Sequence, residues 1–128
     1  MGKEVLRGGA SLKLLGEKLI NSHIIFLVPT GPPLLNESLQ TAEERQLHLQ
    51  WHAPEPQHQN GVIINYTICI EREDSMEDCR LYYTSSTNMI VTGLHPYTVY
   101  RYKVAARTSV GRGNYTEQLS IQTLEDGE

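Results

Sequence analysis

Apolar and polar side chains alternate along the stretch between residues 99 and 107, which follows a proline turn. Its apolar series is Tyr100, Tyr102, Val104 and Ala106. Successive side chains of a β-strand point to opposite faces, so this alternation is typical of a strand with one buried face. Such a strand must lie in a sheet that covers a core, which favours a layered β structure over a helical one.

Six further strands are predicted from alternation and from the turn residues between them. The clearest one places Leu47, Leu49 and Trp51 on one side, and the prolines that follow end it because proline cannot donate to a ladder. The seven predicted strands cover residues 34–41 (A), 47–52 (B), 62–71 (C), 79–84 (C′), 89–91 (E), 100–106 (F) and 116–123 (G). Short strands at this spacing predict an all-β fold, an immunoglobulin-like sandwich of two antiparallel sheets.

Predicted strand C assigns its side chains to two faces. Ile64, Tyr66, Ile68 and Ile70 are expected to point inward. Asn65, Thr67, Cys69 and Glu71 are expected to point outward. An inward series made of isoleucine and tyrosine predicts that this strand is central to the core.

The chain divides near residue 30. Residues 1–29 show no clean period and are predicted to be a flexible leader or an expression-derived segment, with a partly ordered flank and a signal-like segment as alternatives. Residues 30–124 form the predicted domain, and residues 125–128 a tail or linker. A chain of 128 residues can bury one core, so a single domain is expected.

Composition and spacing exclude several functions. The formal net charge is −4, and no basic stretch is long enough to predict nucleic-acid binding. The sequence has no run of 18 apolar residues, so it predicts no membrane span. His48 and His52 share a strand face but lie about 13 Å apart, too far to hold one metal ion. Since no catalytic motif is present either, we predict no enzyme activity, no metal and no cofactor.

The segment Leu94-His-Pro96-Tyr-Thr98-Val-Tyr100 resembles the tyrosine corner of fibronectin type III domains, in which a tyrosine bonds back to nearby backbone. Pro32-Pro33, the lone Trp51 and the Asn60-Gly61 turn add to the likeness over residues 30–124. The chain resembles domains found in receptor-type tyrosine phosphatases and neural cell-adhesion proteins. The resemblance implies that A, B and E form one sheet and that C, C′, F and G form the other. The structural core would then include Trp51, Tyr66, Leu94, Tyr100 and Tyr102.

The two cysteines face each other across a predicted hairpin. Cys69 lies on predicted strand C, and Cys79 begins predicted strand C′. Opposed residues in an antiparallel pair lie within disulfide range. A disulfide is one expectation, two separate thiols are another, and a metal site is a third. A disulfide here would depart from the pattern of most fibronectin type III domains.

Three sequons point to the secretory pathway. Asn36, Asn65 and Asn114 each begin an Asn-x-Ser/Thr sequence without proline in the middle. Each asparagine is expected in a loop or on an outward face. All three are therefore candidate glycosylation sites, although ordinary surface asparagines would give the same pattern.

The outward face of predicted strands C and F carries basic residues. Arg101, Lys103 and Arg107 come from strand F, and Arg112 follows in the next loop. They are expected either to pair with Glu71 and other acids across strands or to form an interaction patch.

The function expected from these features is that of a non-catalytic extracellular module. It would act as a protein-interaction or spacer domain of a multidomain cell-surface receptor or adhesion protein, as a monomeric unit with protein partners on cell surfaces or in the matrix. An intracellular structural module of a giant muscle-type protein and a secreted matrix domain are the alternatives.

Overall fold

The computed structural model describes residues 17–20 and 23–127, and for residues 17–20 and 23–26 it describes the backbone alone. Within the predicted leader, β1 (Glu17–Ile20) and β2 (His23–Phe26) form an antiparallel hairpin. Part of the predicted leader thus has regular backbone pairing. The prediction for residues 1–16 lies outside the described residues.

Eight strands of the domain form two antiparallel sheets. The smaller sheet has the order β3-β4-β7, and the larger has the order β10-β8-β5-β6, with β9 also paired to β8. The strands are β3 (Thr41–Ala42), β4 (Leu47–Gln50), β5 (Asn65–Arg72), β6 (Arg80–Thr84), β7 (Asn88–Val91), β8 (Val99–Arg107), β9 (Arg112–Tyr115) and β10 (Leu119–Gln122). The predicted all-β sandwich and its division into two sheets are confirmed.

The core lies between the sheets and is built from the inward faces of the central strands. Tyr102 and Val104 of β8 are completely buried, as are Leu47 and Leu49 of β4 and Ile68 of β5. Partly buried side chains, among them Leu94 and Met89, pack around this cluster. Period-two alternation thus identified the buried face of each central strand.

Predicted strand A is broken in two. Leu34 makes a single bridge to His52, and the chain resumes pairing at β3. A 3₁₀ turn over Glu37–Leu39 lies between them, and the Asn36 side chain caps it by accepting from the Ser38 N–H at 3.0 Å. Asparagine side chains compete with ladder hydrogen bonds in this way, which explains why a continuous strand does not form.

Predicted strand G is shorter than expected, and an additional strand, β9, precedes it. The turn after β8 closes between Thr108 and Gly111, so Arg112 already belongs to β9 rather than to a loop. After β9, the Thr116 N–H donates to the Val104 carbonyl at 2.8 Å, and the Thr116 hydroxyl oxygen accepts from the Val104 N–H at 3.1 Å. The Thr116 hydroxyl thus replaces the backbone carbonyl that would accept from Val104 in a regular ladder. The next strand, β10, begins only at Leu119.

One expectation for strand C was wrong. Ile64 is 47% exposed, because β5 begins one residue later and the alternation holds only within the paired strand. Thr67 and Cys69 point away from the core, as predicted, yet they are 3% and 6% exposed. The outer face of the larger sheet is therefore covered at its centre.

Residues 27–31 pack against one end of the sandwich, although the sequence placed the first three of them in the leader. The Asn60 amide donates to the Val28 carbonyl at 2.9 Å, and the Thr108 hydroxyl donates to the Leu27 carbonyl at 3.1 Å. Asn60 lies in the left-handed region at φ 57° and caps the one-turn helix α1 (Pro56–Gln59). The Asn60-Gly61 pair predicted as a simple turn thus also anchors the incoming chain.

Close packing of this segment explains a glycine in β9. A Cβ on Gly113 would lie 2.6 Å from the Pro29 carbonyl oxygen, so a larger residue could not fit without movement of the backbone. Pro29 itself is fully buried. The packed unit therefore includes residues 27–29, which precede the predicted domain boundary. No helix in residues 17–20 and 23–127 is long and apolar enough to cross a membrane.

Candidate protein-interaction face

The outer face of the larger sheet gathers most of the predicted interaction residues. On β8, alternation places Arg101, Lys103, Ala105 and Arg107 outward, opposite the buried series that begins at Tyr100. β5 lies on one side of β8, and β9 and β10 lie on the other. The four basic positions from the sequence separate into two groups with different surroundings.

Arg101 is held in a charge pair. Its guanidinium lies 3.2 Å from the Glu71 carboxylate, and these two residues are opposed in the β5–β8 register. The same group donates to the Glu73 carbonyl at 3.3 Å. With side-chain exposures of 33% and 23%, the pair is partly shielded from water. Of the two expectations for the basic residues, Arg101 therefore fits a cross-strand charge pair and does not belong to an open interaction patch.

Two of the other three basic residues lie over an aromatic ring, and the third is opposed to one of them. Lys103 Nζ lies 4.7 Å from the centroid of the Tyr115 ring, and the Arg112 guanidinium lies 4.2 Å from it. Arg107 is opposed to Arg112 in the register of β8 and β9. We call Lys103, Arg107, Arg112 and Tyr115 the cationic face. The sequence did not single out Tyr115, whose position depends on the register shift between Ala105 and Arg107.

Within the part of the chain that the structure describes, the cationic face has no ion-pair partner. No carboxylate of the described residues lies within 4.0 Å of Lys103, Arg107 or Arg112. Like charges directly opposed across a strand pair are destabilising, and the Tyr115 ring offsets this only in part. The arrangement fits a surface that binds anions, and its charges are available to a ligand.

A disulfide stiffens the same side of the sheet. Cys69 and Cys79 are bonded, with their Cα atoms 5.4 Å apart, and together they close the loop between β5 and β6. Of the three alternatives for these cysteines, the structure has the disulfide. Elsewhere in residues 17–20 and 23–127, no group of three or more His, Cys, Asp or Glu side chains could hold a metal ion.

The three sequon asparagines differ in accessibility. Asn36 and Asn114 are exposed. Asn65 is half-buried, and its Oδ1 atom is buried without a hydrogen-bond partner among the described residues. Glycosylation remains a prediction at all three sites, with Asn114 immediately beside the cationic face.

A family model for the fibronectin type III domain matches residues 31–122. The chain belongs to the fibronectin type III family. The chain is 40% identical to ephrin type-A receptor 7 of Gallus gallus over 86 residues, which are 65% of this chain and 8% of that protein. It is 35% identical to phosphatidylinositol phosphatase PTPRQ of Rattus norvegicus over 81 residues, 62% of this chain and 3% of that protein. It thus spans under a tenth of these relatives.

A solved structure gives the same fold. The fibronectin type III domain of human fibronectin type III domain containing protein 3 is 28% identical, with a TM-score of 0.64, and the match covers 78% of this chain and 90% of that one. The relatives include cell-surface receptors, as the resemblance stated in the sequence analysis implies. The fibronectin type III domain is a non-catalytic module.

The aromatic residues of this fibronectin type III domain lie where the family resemblance implies. Trp51 is 2% exposed and meets Tyr66 edge to face, with ring centroids 5.6 Å apart. Tyr66, Tyr100 and Tyr102 are buried, while Leu94 is partly buried against them. These residues serve packing, so the accessible chemistry of the domain lies on the cationic face and in the loops.

Proposed function

We propose that this domain is a protein-interaction and spacer module in the extracellular part of a cell-surface receptor or adhesion protein, and that it does no catalysis itself. The observation that carries the proposal is the match to receptor proteins at 40% identity. The disulfide supports an oxidising compartment, since such bonds persist outside the reducing cytosol. The sequons support the same compartment.

A spacer role follows from where the chain enters and leaves the sandwich. Leu27 contacts Thr108, just beyond the last residue of β8. Leu124 bonds Tyr97, just before the first residue of β8. The nine residues of β8 span about 30 Å, so the domain holds its two neighbours about that far apart. Hydrogen bonds hold the chain against the sandwich at both of these points.

The interaction role rests on the cationic face. Two cations over a half-buried tyrosine, with Arg107 opposed to one of them, form a surface that can bind a carboxylate-bearing protein partner. Glycans on Asn36 or Asn114 would decide which surfaces remain open to partners. The partner proteins would act at cell surfaces or in the matrix.

The test is a glycosidase mobility shift, together with a free-thiol count, on the protein secreted by animal cells. A shift with no free thiol agrees with an extracellular module. No shift and two free thiols would contradict the proposal and favour an intracellular structural module. Cell fractionation of the full-length parent protein separates a membrane receptor from a secreted matrix protein.

A further inference from the structure

We propose that the cationic face of one copy of this domain binds the loop between β5 and β6 of a second copy, in a head-to-tail contact. We call residues 73–78 the acidic loop. The inference rests on the proposed function, because it names a partner for an extracellular interaction module. It also has its own test.

The acidic loop carries the chemistry that the cationic face lacks. It presents the carboxylates of Glu73, Asp74, Glu77 and Asp78 around Met76. Met76 is 100% exposed, which is unusual for an apolar side chain within an ordered domain. Only Asp74 has a basic partner within 4.0 Å among the described residues, namely Arg72 at 3.1 Å. The remaining carboxylates are available to another molecule.

The acidic loop is also held in one shape before it meets a partner. The Ser75 N–H donates to the Arg72 carbonyl at 3.1 Å, and the Glu77 N–H donates to the Ser75 hydroxyl at 3.0 Å. The disulfide between Cys69 and Cys79 closes the base of the loop. A preformed loop loses little conformational entropy on binding, which favours its use as a ligand.

The two surfaces match in charge and in apolar contact. Carboxylates of the loop can pair with Lys103 and with Arg112, whose planar guanidinium can donate two parallel hydrogen bonds to one carboxylate. The flexible Met76 side chain can pack on the Tyr115 ring that those cations flank, since methionine sulfur makes favourable contacts with aromatic rings. A sulfated polysaccharide would satisfy the cations but offers no apolar group for the ring.

The contact must form between molecules. The acidic loop follows β5 beyond Glu71, whose partner Arg101 lies near one end of β8. Arg107 lies at the other end, six residues or about 20 Å away. A loop anchored at that end of a rigid sheet cannot reach Arg107 or Arg112 at the other. Lys103 is opposed to Cys69 near the base of the loop, but no carboxylate of the loop lies within 4.0 Å of it. In a head-to-tail arrangement the contact is heterologous, so it builds open rows, or rings where the rotation between copies closes.

The experiment is sedimentation velocity of the secreted domain over a range of concentrations. All samples carry Asn114→Gln, which keeps a glycan away from the cationic face. A face variant has Lys103→Gln with Arg112→Gln, and a loop variant has Glu77→Gln with Asp78→Asn. Glu44→Gln with Glu125→Gln is the control, because both residues are exposed and lie outside the two surfaces.

We expect concentration-dependent association of the parent domain and of the control, weakened by added salt. Each of the other two variants should associate at least about tenfold more weakly. An equal mixture of the face and loop variants should form dimers but no larger species, since one matched pair of surfaces remains. Dimer formation in the mixture would also show that both variants are folded.

Three results would overturn the inference. The first is a parent domain that stays monomeric at every concentration. The second is association that persists in the face variant. The third is binding of heparin to the cationic face without self-association, which would assign the face to a polyanion. None of these results affects the glycosidase and free-thiol assays, so those assays test the extracellular proposal independently.

Discussion

The hydroxyl oxygen of Tyr100 accepts a hydrogen bond from the backbone N–H of His95 at 2.9 Å. Tyr100 is 4% exposed in β8, and His95 lies in the connection from β7. The bond fixes this connection to the core, which is how a tyrosine corner stabilises the fold.

Replacing Tyr100→Phe should lower the free energy of unfolding by about 1 kcal/mol or more. The phenyl ring can keep its packing, but the partly buried His95 N–H loses its acceptor. Urea denaturation measures the change, with Tyr97→Phe as the control because Tyr97 is 63% exposed. Equal midpoints for the two variants would show that the bond contributes nothing.

Removing the disulfide should also destabilise the domain. The bond closes a loop across a sequence separation of 10, and loop-closure entropy predicts a contribution of about 2 to 3 kcal/mol. The variant with Cys69→Ala and Cys79→Ala should lose that amount in urea denaturation. A reducing agent should destabilise the parent domain and leave the double variant unchanged; a comparable effect on both would contradict the assignment.

High pH should destabilise the domain through its buried tyrosines. Burial raises the pKa of Tyr102, with a further contribution from the negative charge of Glu37, and burial also raises the pKa of Tyr66. The folded state therefore holds these protons more tightly than the unfolded state. Their contribution is complete below the unfolded pKa of about 10 and is lost as the pH rises beyond it.

The measurement is the urea midpoint between pH 7 and pH 11.5. We expect a fall above about pH 10 that is shallower in Tyr102→Phe, because that variant has one group fewer to ionise. Tyr83→Phe removes a tyrosine that is 58% exposed and should leave the slope unchanged. A slope that responds equally to both substitutions would contradict a special role for burial.

Asn60 should hold the entering chain in place. Asn60→Gly keeps the left-handed backbone but removes the amide that bonds the Val28 carbonyl, so a loss of about 0.5 to 1.5 kcal/mol is expected. Amide exchange at Thr30, whose N–H donates to the His58 carbonyl at 2.8 Å, should become faster. The control is Gln57→Gly, at an exposed position of α1, the helix that Asn60 caps. Unchanged exchange at Thr30 in Asn60→Gly would mean that the segment is held by other contacts.

The amino-acid sequence by itself determined the strand class and the buried faces. Alternation in β4 and β8 is a local property, and each apolar series it marks is buried in the structure. The Leu-x-Pro-x-Thr-x-Tyr spacing was likewise enough to indicate the family, because the tyrosine corner joins residues only five apart. Local patterns can predict such features because all the interacting groups lie within one short segment.

Tertiary structure alone decided the features that depend on distant partners. Asn60 finds the Val28 carbonyl 32 residues away, and no local pattern distinguishes that from a plain turn. Tyr115 lies between two cations because β9 pairs with β8 after a register shift. A shift of one residue turns a side chain to the other face of the sheet, so only the assembled sheet could decide which basic residues are paired and which form the cationic face.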